Sequence, residues 1–180
     1  NFVLSQDTSI SVEKYIKQNG GTIYRSKVGE ANVASKMIET ESQVGGEGSS
    51  GGFILSDFNY CRDGILTSGL IASIIKKEKF TDVLNFMEKY HIIRDKVEYD
   101  SEQHDNILKI LHDKMKEKFG NVDTLDGLKV MIDEDSWVLV RRSNTENAIR
   151  ISTESDSLEK VRKIDQEIKD LIKESHEQIK

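Results

Sequence analysis

Within Arg141-Arg142-Ser143-Asn144-Thr145-Glu146-Asn147, five residues gather one or two guanidinium groups, two hydroxyls and a side-chain amide between two β-type runs. That set suits a phosphate, whose oxygens take paired contacts from Arg, several neutral donors and free backbone N–H groups. The same residues also suit a polar hairpin turn in which Ser, Asn and Thr satisfy their own backbone. A second stretch, Gly45-Gly46-Glu47-Gly48-Ser49-Ser50-Gly51-Gly52, has five glycines in eight residues. This predicts a loop of unusual φ or close approach rather than regular structure. Its informative residue is Glu47. A carboxylate there accepts hydrogen bonds from two vicinal sugar hydroxyls, and Ser49 or Ser50 adds a third contact. A solvated loop acid is the competing reading.

Gly46-x-Gly48-x-x-Gly51 also matches the dinucleotide fingerprint in form. That motif needs a strand before it and a helix after it. Here a helical segment is expected before it and the strand Phe53-Ile54-Leu55 after it, so nucleotide binding is rejected. No Gly-Lys-Ser/Thr pair exists for a phosphate loop of the NTPase type. His91, His104, His112 and His176 are scattered without ligand spacing and suit solvated or packing roles, and Trp137 suits a core position.

The elements that must carry these loops alternate in the first half. Phe2 to Ser5 predicts a buried strand, and Ser9 caps a helix carrying Val12, Tyr15 and Ile16 that stops at Gly20-Gly21. A strand at 22–25, a loop at 27–30 and a helix over 31–39 follow. Asp63 caps a helix from Gly64 to about Lys77 with a wide apolar face, and a shorter helix follows Thr81. From about Tyr90 the pattern changes. Residues 91–99 suit an extended connector. A helix from Asp100 or Ser101 to Gly120 precedes three β runs at 128–132, 137–141 and 149–153. Leu128 to Ile132 alternates as a sheet with one wet face would. A last helix starts at a capping box of Asp156 and Glu159. The fold class expected is α/β plus α+β. A layered α/β domain, truncated at its start, covers 1–92. A small domain with an antiparallel sheet packed by two helices covers 93–180.

Composition limits what such a chain can do. Its 180 residues are 36% hydrophobic and 32% charged, ordinary for a globular protein. No stretch reaches the roughly 18 apolar residues that span a membrane. The formal charge of −6, with no dense Lys/Arg block, argues against nucleic acid and anionic lipid as partners. The single cysteine, Cys61, cannot form an internal disulfide, which points to a reducing cytoplasm. The chain opens in a strand-like run without methionine, as a piece of something longer would.

Taken in order, these motifs resemble the α-D-phosphohexomutases. In that family the third domain has a sugar loop of the form Gly-Glu-x-Ser/Asn-Gly, similar to Gly46-Glu47-Gly48-Ser49 here. The fourth has a phosphate loop, Arg-x-Ser-Asn/Gly-Thr-Glu-Pro, then a Leu/Ile-Arg-Val strand. Arg141-Arg142-Ser143-Asn144-Thr145-Glu146 and Ile149-Arg150-Ile151 resemble these. Arg62-Asp63-Gly64-Ile65-Leu66-Thr67 is similar to a family helix start. Asp126 to Val130 and Ser136 to Val140 resemble a fourth-domain hairpin, and Lys27-Val28-Gly29-Glu30 falls where the family has another substrate-facing loop. The likeness covers nearly the whole chain. Departures are an extra residue in the sugar loop, so that Ser49 or Ser50 could be the matching hydroxyl, and Glu30 where relatives often have histidine. Asn147 replaces a proline, and Arg142 is an additional cation.

The resemblance implies a C-terminal portion of an intramolecular phosphotransferase. The intact enzyme would interconvert hexose 1-phosphate and 6-phosphate through a hexose 1,6-bisphosphate, with Mg²⁺ offsetting charge. Gly29, Glu30, Glu47, Ser49 and Ser50 would bind substrate, and Arg141, Ser143, Asn144, Thr145 and Arg150 the phosphate. The phosphoserine and magnesium motifs of the first and second domains are absent from this sequence. The chain alone is therefore expected to be inactive and to need the missing N-terminal domains. A phosphoglucosamine mutase, or a non-catalytic sugar-phosphate-binding module, is the alternative.

Overall fold

A computed structural model describes residues 1–77, 79–85, 87–143 and 146–179, without the side chains of Phe80 and Val83. The chain divides into two compact units, Asn1–Lys89 and Tyr90–Lys180.

Unit 1 is a mixed four-stranded sheet with helices. Its strands are β1 (Phe2–Ser5), β2 (Ile23–Ser26), β3 (Val44–Glu47) and β4 (Gly52–Leu55), in the order β2-β1-β3-β4. β1 runs parallel to β2 and β3, while β4 returns antiparallel along β3. Helix α1 (Ile10–Gln18) starts at Ser9, whose hydroxyl accepts from the Ser11 N–H at 3.2 Å. Helix α2 (Glu30–Glu39) lies against β1 and β3, and Val33 and Met37 bury with Val3 and Ile54 in the core. Helix α3 (Gly64–Ile75) is capped by Asp63, which accepts from Leu66 N at 2.7 Å. It approaches the sheet at β4, and none of its residues is buried. Helix α4 (Phe80–Leu84) completes the unit.

The glycine stretch departs from the expected loop, because Gly45 and Gly46 lie inside β3 and the segment is a tight β3–β4 hairpin. The reason is space. A Cβ on Gly45 would stand 2.3 Å from Met37 Sδ and 2.9 Å from Val33 Cγ1, so glycine lets α2 close onto the sheet. A strand therefore does precede the glycine pattern, but another strand follows it, and the dinucleotide reading still fails.

Unit 2 is an antiparallel sheet packed by two helices, as expected, with four strands rather than three. They are β5 (His91–Glu98), β6 (Leu128–Asp133), β7 (Ser136–Arg142) and β8 (Ala148–Ser155), in the order β5-β8-β7-β6. The supposed connector is thus edge strand β5, paired with β8 from His91↔Ser155 to Glu98↔Ala148. Helices α5 (His104–Phe119) and α6 (Leu158–Glu177) cover one face, where Ile107, Leu111 and Met115 meet Val138, Val140, Ile149, Ile151, Ile164, Ile168 and Ile172. Asp156 is not the cap of α6: Ser157 holds that place and accepts from Lys160 N. The other sheet face is not uniformly wet. Lys129 is 7% exposed, its ammonium 4.5 Å from the centroid of the buried Trp137 ring. Trp137 Nε1 donates to the buried Glu154 carboxylate. His104 is also buried, hydrogen-bonded to the Tyr99 carbonyl, in a packing role.

Candidate functional site

In unit 1 the candidate residues stand on two segments, and Arg62 reaches both from a third. Glu47 is the last residue of β3, opposite Gly52 in the register, and the turn between them carries Ser49, Ser50 and Gly51 at φ 61°. The turn is seated on the segment following β1, where Ser5, Gln6, Asp7 and Thr8 are buried. Ser5 Oγ donates to Asp7 Oδ1 at 2.6 Å and accepts from Gly48 N at 2.9 Å. Gly48 sits so close that an added Cβ would lie 2.4 Å from the Asp7 carbonyl oxygen.

Glu47 is 4% exposed. Its carboxylate accepts from the Ser49 hydroxyl, the Ser50 hydroxyl and the Ser50 N–H. Burial alone would raise its pKa, but these donors and the nearby Arg62 outweigh burial and leave it lowered. Gly29, at φ 117°, brings the chain into α2, and Glu30 is that helix's first residue. Glu30 receives the Arg62 side chain, Nε to Oε2 at 2.7 Å, and the Arg62 backbone N–H to Oε1 at 3.0 Å. These bonds hold the Glu30 carboxyl below the usual range.

Arg62 also donates through Nη1 to the Ser50 hydroxyl and stands 3.5 Å from Glu47 Oε2. One guanidinium thus joins Glu30, Ser50 and Glu47. In the sequence it stands only as the first letter of a helix-start motif. The available signal was an arginine directly before the Asp63 cap, where its backbone cannot yet belong to the helix. Gly52 makes the reach possible, since a Cβ there would lie 2.0 Å from Arg62 Cδ.

In unit 2 the loop joins β7 to β8. Arg141 faces Arg150 across the pair, and Ser143 N donates to the Ala148 carbonyl at 2.9 Å, closing the hairpin. Arg150 donates from Nε to Ser143 Oγ at 3.0 Å and from Nη2 to Glu146 Oε1 at 3.1 Å. Lys96, on β5, takes the other Glu146 oxygen at 2.6 Å, and with Arg150 nearby it keeps that carboxyl low. Arg142, the extra cation, is engaged with Asp105 of α5 at 2.8 Å. Arg141 donates to the Arg142 carbonyl, and among the described residues no carboxylate pairs with it. Arg141, Ser143 and Arg150 are therefore together at one loop, while Asn144 and Thr145 lie outside the described residues. Among the described residues no group of three or more His, Cys, Asp or Glu side chains is placed to hold a metal ion. Nor is any helix there long and apolar enough to cross a membrane.

Comparison with known proteins follows this division. The model of the phosphoglucomutase/phosphomannomutase α/β/α domain III matches residues 1–90, and that of the phosphoglucomutase/phosphomannomutase C-terminal domain matches residues 96–171. A phosphoglucomutase/phosphomannomutase of Thermococcus kodakarensis is 37% identical over 86% of this chain and 34% of that protein. A "probable phosphoglucosamine mutase" of Methanopyrus kandleri is 31% identical over 97% of this chain and 38% of that protein. A crystal structure of a phosphoglucomutase/phosphomannomutase family protein from Burkholderia thailandensis superposes with a TM-score of 0.79. It is 22% identical over 97% of this chain and 37% of its own. The chain thus spans well under half the length of these relatives. Since the two domain models match in sequence order and together take in most of its length, the chain belongs to the phosphoglucomutase/phosphomannomutase family.

Proposed function

We propose that this chain supplies the sugar-recognising and phosphate-recognising loops of a phosphohexomutase, a cytoplasmic isomerase of carbohydrate metabolism. The whole enzyme would move a phosphoryl group between O1 and O6 of a hexose through a bisphosphate intermediate. Glu47, with Ser49 or Ser50, accepts and donates to sugar hydroxyls, beside Gly29 and Glu30. Arg141, Ser143, Asn144, Thr145 and Arg150 hold the phosphate that is not reacting. Binding of this kind contributes orientation rather than bond-making. The phosphoserine and the Mg²⁺ would come from domains outside this sequence.

The observation that carries the reading is the state of Arg141. Its neighbours Arg142 and Arg150 are paired with Asp105 and Glu146, while Arg141 faces no carboxylate among the described residues and remains available to an outside anion. The alternative of an amino-sugar phosphate is favoured by the name of the Methanopyrus kandleri relative.

The test is a titration of the ¹⁵N-labelled chain with glucose 1-phosphate and mannose 1-phosphate, beside Arg141→Ala. Saturable shifts of the Ser143 and Glu146 amides, lost in the variant, are expected. No shift at millimolar ligand, or shifts that survive Arg141→Ala, would overturn the reading. Under the same conditions the chain alone should show no mutase turnover, and measurable turnover would refute the assignment of its share.

A further inference from the structure

The carboxylates of Glu30 and Glu47 are held on two different segments, yet one guanidinium serves both. Arg62 binds Glu30 through its backbone N–H and its Nε, and reaches Glu47 directly at 3.5 Å and through the Ser50 hydroxyl. Two carboxylates this close would otherwise repel, and a site of net charge −2 would disfavour a phosphate-bearing ligand. With Arg62 in place the three groups sum to −1. Its seat is built rather than incidental: Gly52 leaves room for the Arg62 stem, and the Asp63 N–H is tied to the Phe53 carbonyl at 3.2 Å.

A neutral hydroxyl that replaces a serine donor on Glu47 leaves this arrangement intact. It donates to the carboxylate and accepts from the guanidinium, as Ser50 Oγ does now. An ammonium cannot do this. It has only protons to offer, so it is attracted by Glu30 and Glu47 but repelled by Arg62, and gains full pairing only by displacing it.

We propose that Arg62 is a specificity-determining residue of the sugar loop, an internal counter-ion that favours hydroxyl-bearing over ammonium-bearing ligands. This rests on the sugar-loop reading given above. It concerns the ratio of the two affinities and does not depend on which ligand the wild type prefers.

The experiment titrates the full 180-residue chain with glucose 6-phosphate and glucosamine 6-phosphate at about pH 6.5, where an amine of this type is protonated. The Gly48 and Ser50 amides are followed in wild type, Arg62→Met, Arg62→Lys and Glu47→Gln. Arg62→Met should lose about tenfold in affinity for the glucose compound and little or none for the glucosamine compound, so that the ratio shifts about tenfold. Arg62→Lys keeps the charge and should keep the ratio near that of wild type. A purely structural role would weaken both ligands alike and leave the ratio unmoved, and that result overturns the proposal. So does an Arg62→Lys ratio that follows Arg62→Met. Failure of the underlying reading looks different. In that case neither Gly48 nor Ser50 responds to either sugar in wild type, or Glu47→Gln binds both undiminished, and both conclusions fall together.

Discussion

Gly48→Ala tests how the sugar loop is seated. Its Cβ would stand 2.4 Å from the Asp7 carbonyl oxygen, 2.6 Å from the Asp7 carbonyl carbon and 2.6 Å from Thr8 Cα. All three are backbone atoms, so no flexible side chain can turn away. The loop and the segment after β1 must separate by more than half an ångström before the contact stops being repulsive. Overpacking of this kind costs about 1–3 kcal/mol. Separation also breaks the Gly48 N–H bond to Ser5 Oγ, worth about 1 kcal/mol. A loss of roughly 2–4 kcal/mol from unit 1 follows. With m near 2 kcal/mol/M this lowers the urea midpoint of that unit by roughly 1–2 M. Gly51→Ala is the control. It meets nothing within 4 Å and carries only the strain of φ 61°, about 1 kcal/mol. The assay follows unit 1 amide cross-peaks through urea titrations of wild type and both variants. Glu47, next to Gly48, shifts with the loop, so hexose-phosphate affinity should also fall about tenfold. A Gly48→Ala midpoint no lower than that of Gly51→Ala would refute the steric reasoning.

Two further outcomes follow. Arg142→Ala should change phosphate affinity less than about threefold, because that guanidinium is committed to Asp105, a surface pair worth little; a loss as large as that of Arg141→Ala would show the two arginines exchanged in role. Glu47 has a folded-state pKa below its unfolded value of about 4.3, so its contribution is fully present above that value and is lost as pH falls through the folded pKa. Glu47→Gln should cost unit 1 about 1–2 kcal/mol at pH 7 and flatten the acid limb of its stability profile, read by urea midpoints between about pH 3 and 7.

Much of the architecture was legible because side-chain periodicity carries it. The alternation from β1 to α2, the caps at Ser9 and Asp63, and the hairpin of β6 and β7 all follow from local pattern. What escaped was set by tertiary space or pairing. Gly45 and Gly46 have no side chain to announce a strand, and their place in β3 is dictated by Met37 and Val33 on a helix before them. β5 resembles a connector because Arg94, Asp95 and Lys96 interrupt its apolar residues, yet such charges are what an edge strand tolerates. There, Asp95 pairs with Lys169 and Lys96 with Glu146. The α6 cap falls one residue later than the Asp-Glu pattern suggests, because Ser157 has the side chain that reaches Lys160 N. At the candidate site Glu47, Arg141 and Ser143 were chemically conspicuous, whereas the role of Arg62 depends on partners 32 and 12 residues away, which no local pattern contains.

The placement of Trp137 decides what light can report about this molecule. It is the only indole in the chain, buried in unit 2, with the Lys129 ammonium over its ring and the Glu154 carboxylate at its N–H. Opposite charges on two sides of one chromophore make its emission wavelength a local field gauge. Excited selectively, it reads the environment of β6, β7 and β8 directly, while the glycine hairpin has no indole of its own. The tyrosines of that half are Tyr15, Tyr24 and Tyr60, so light that excites indole alone reports on unit 2 and leaves unit 1 dark.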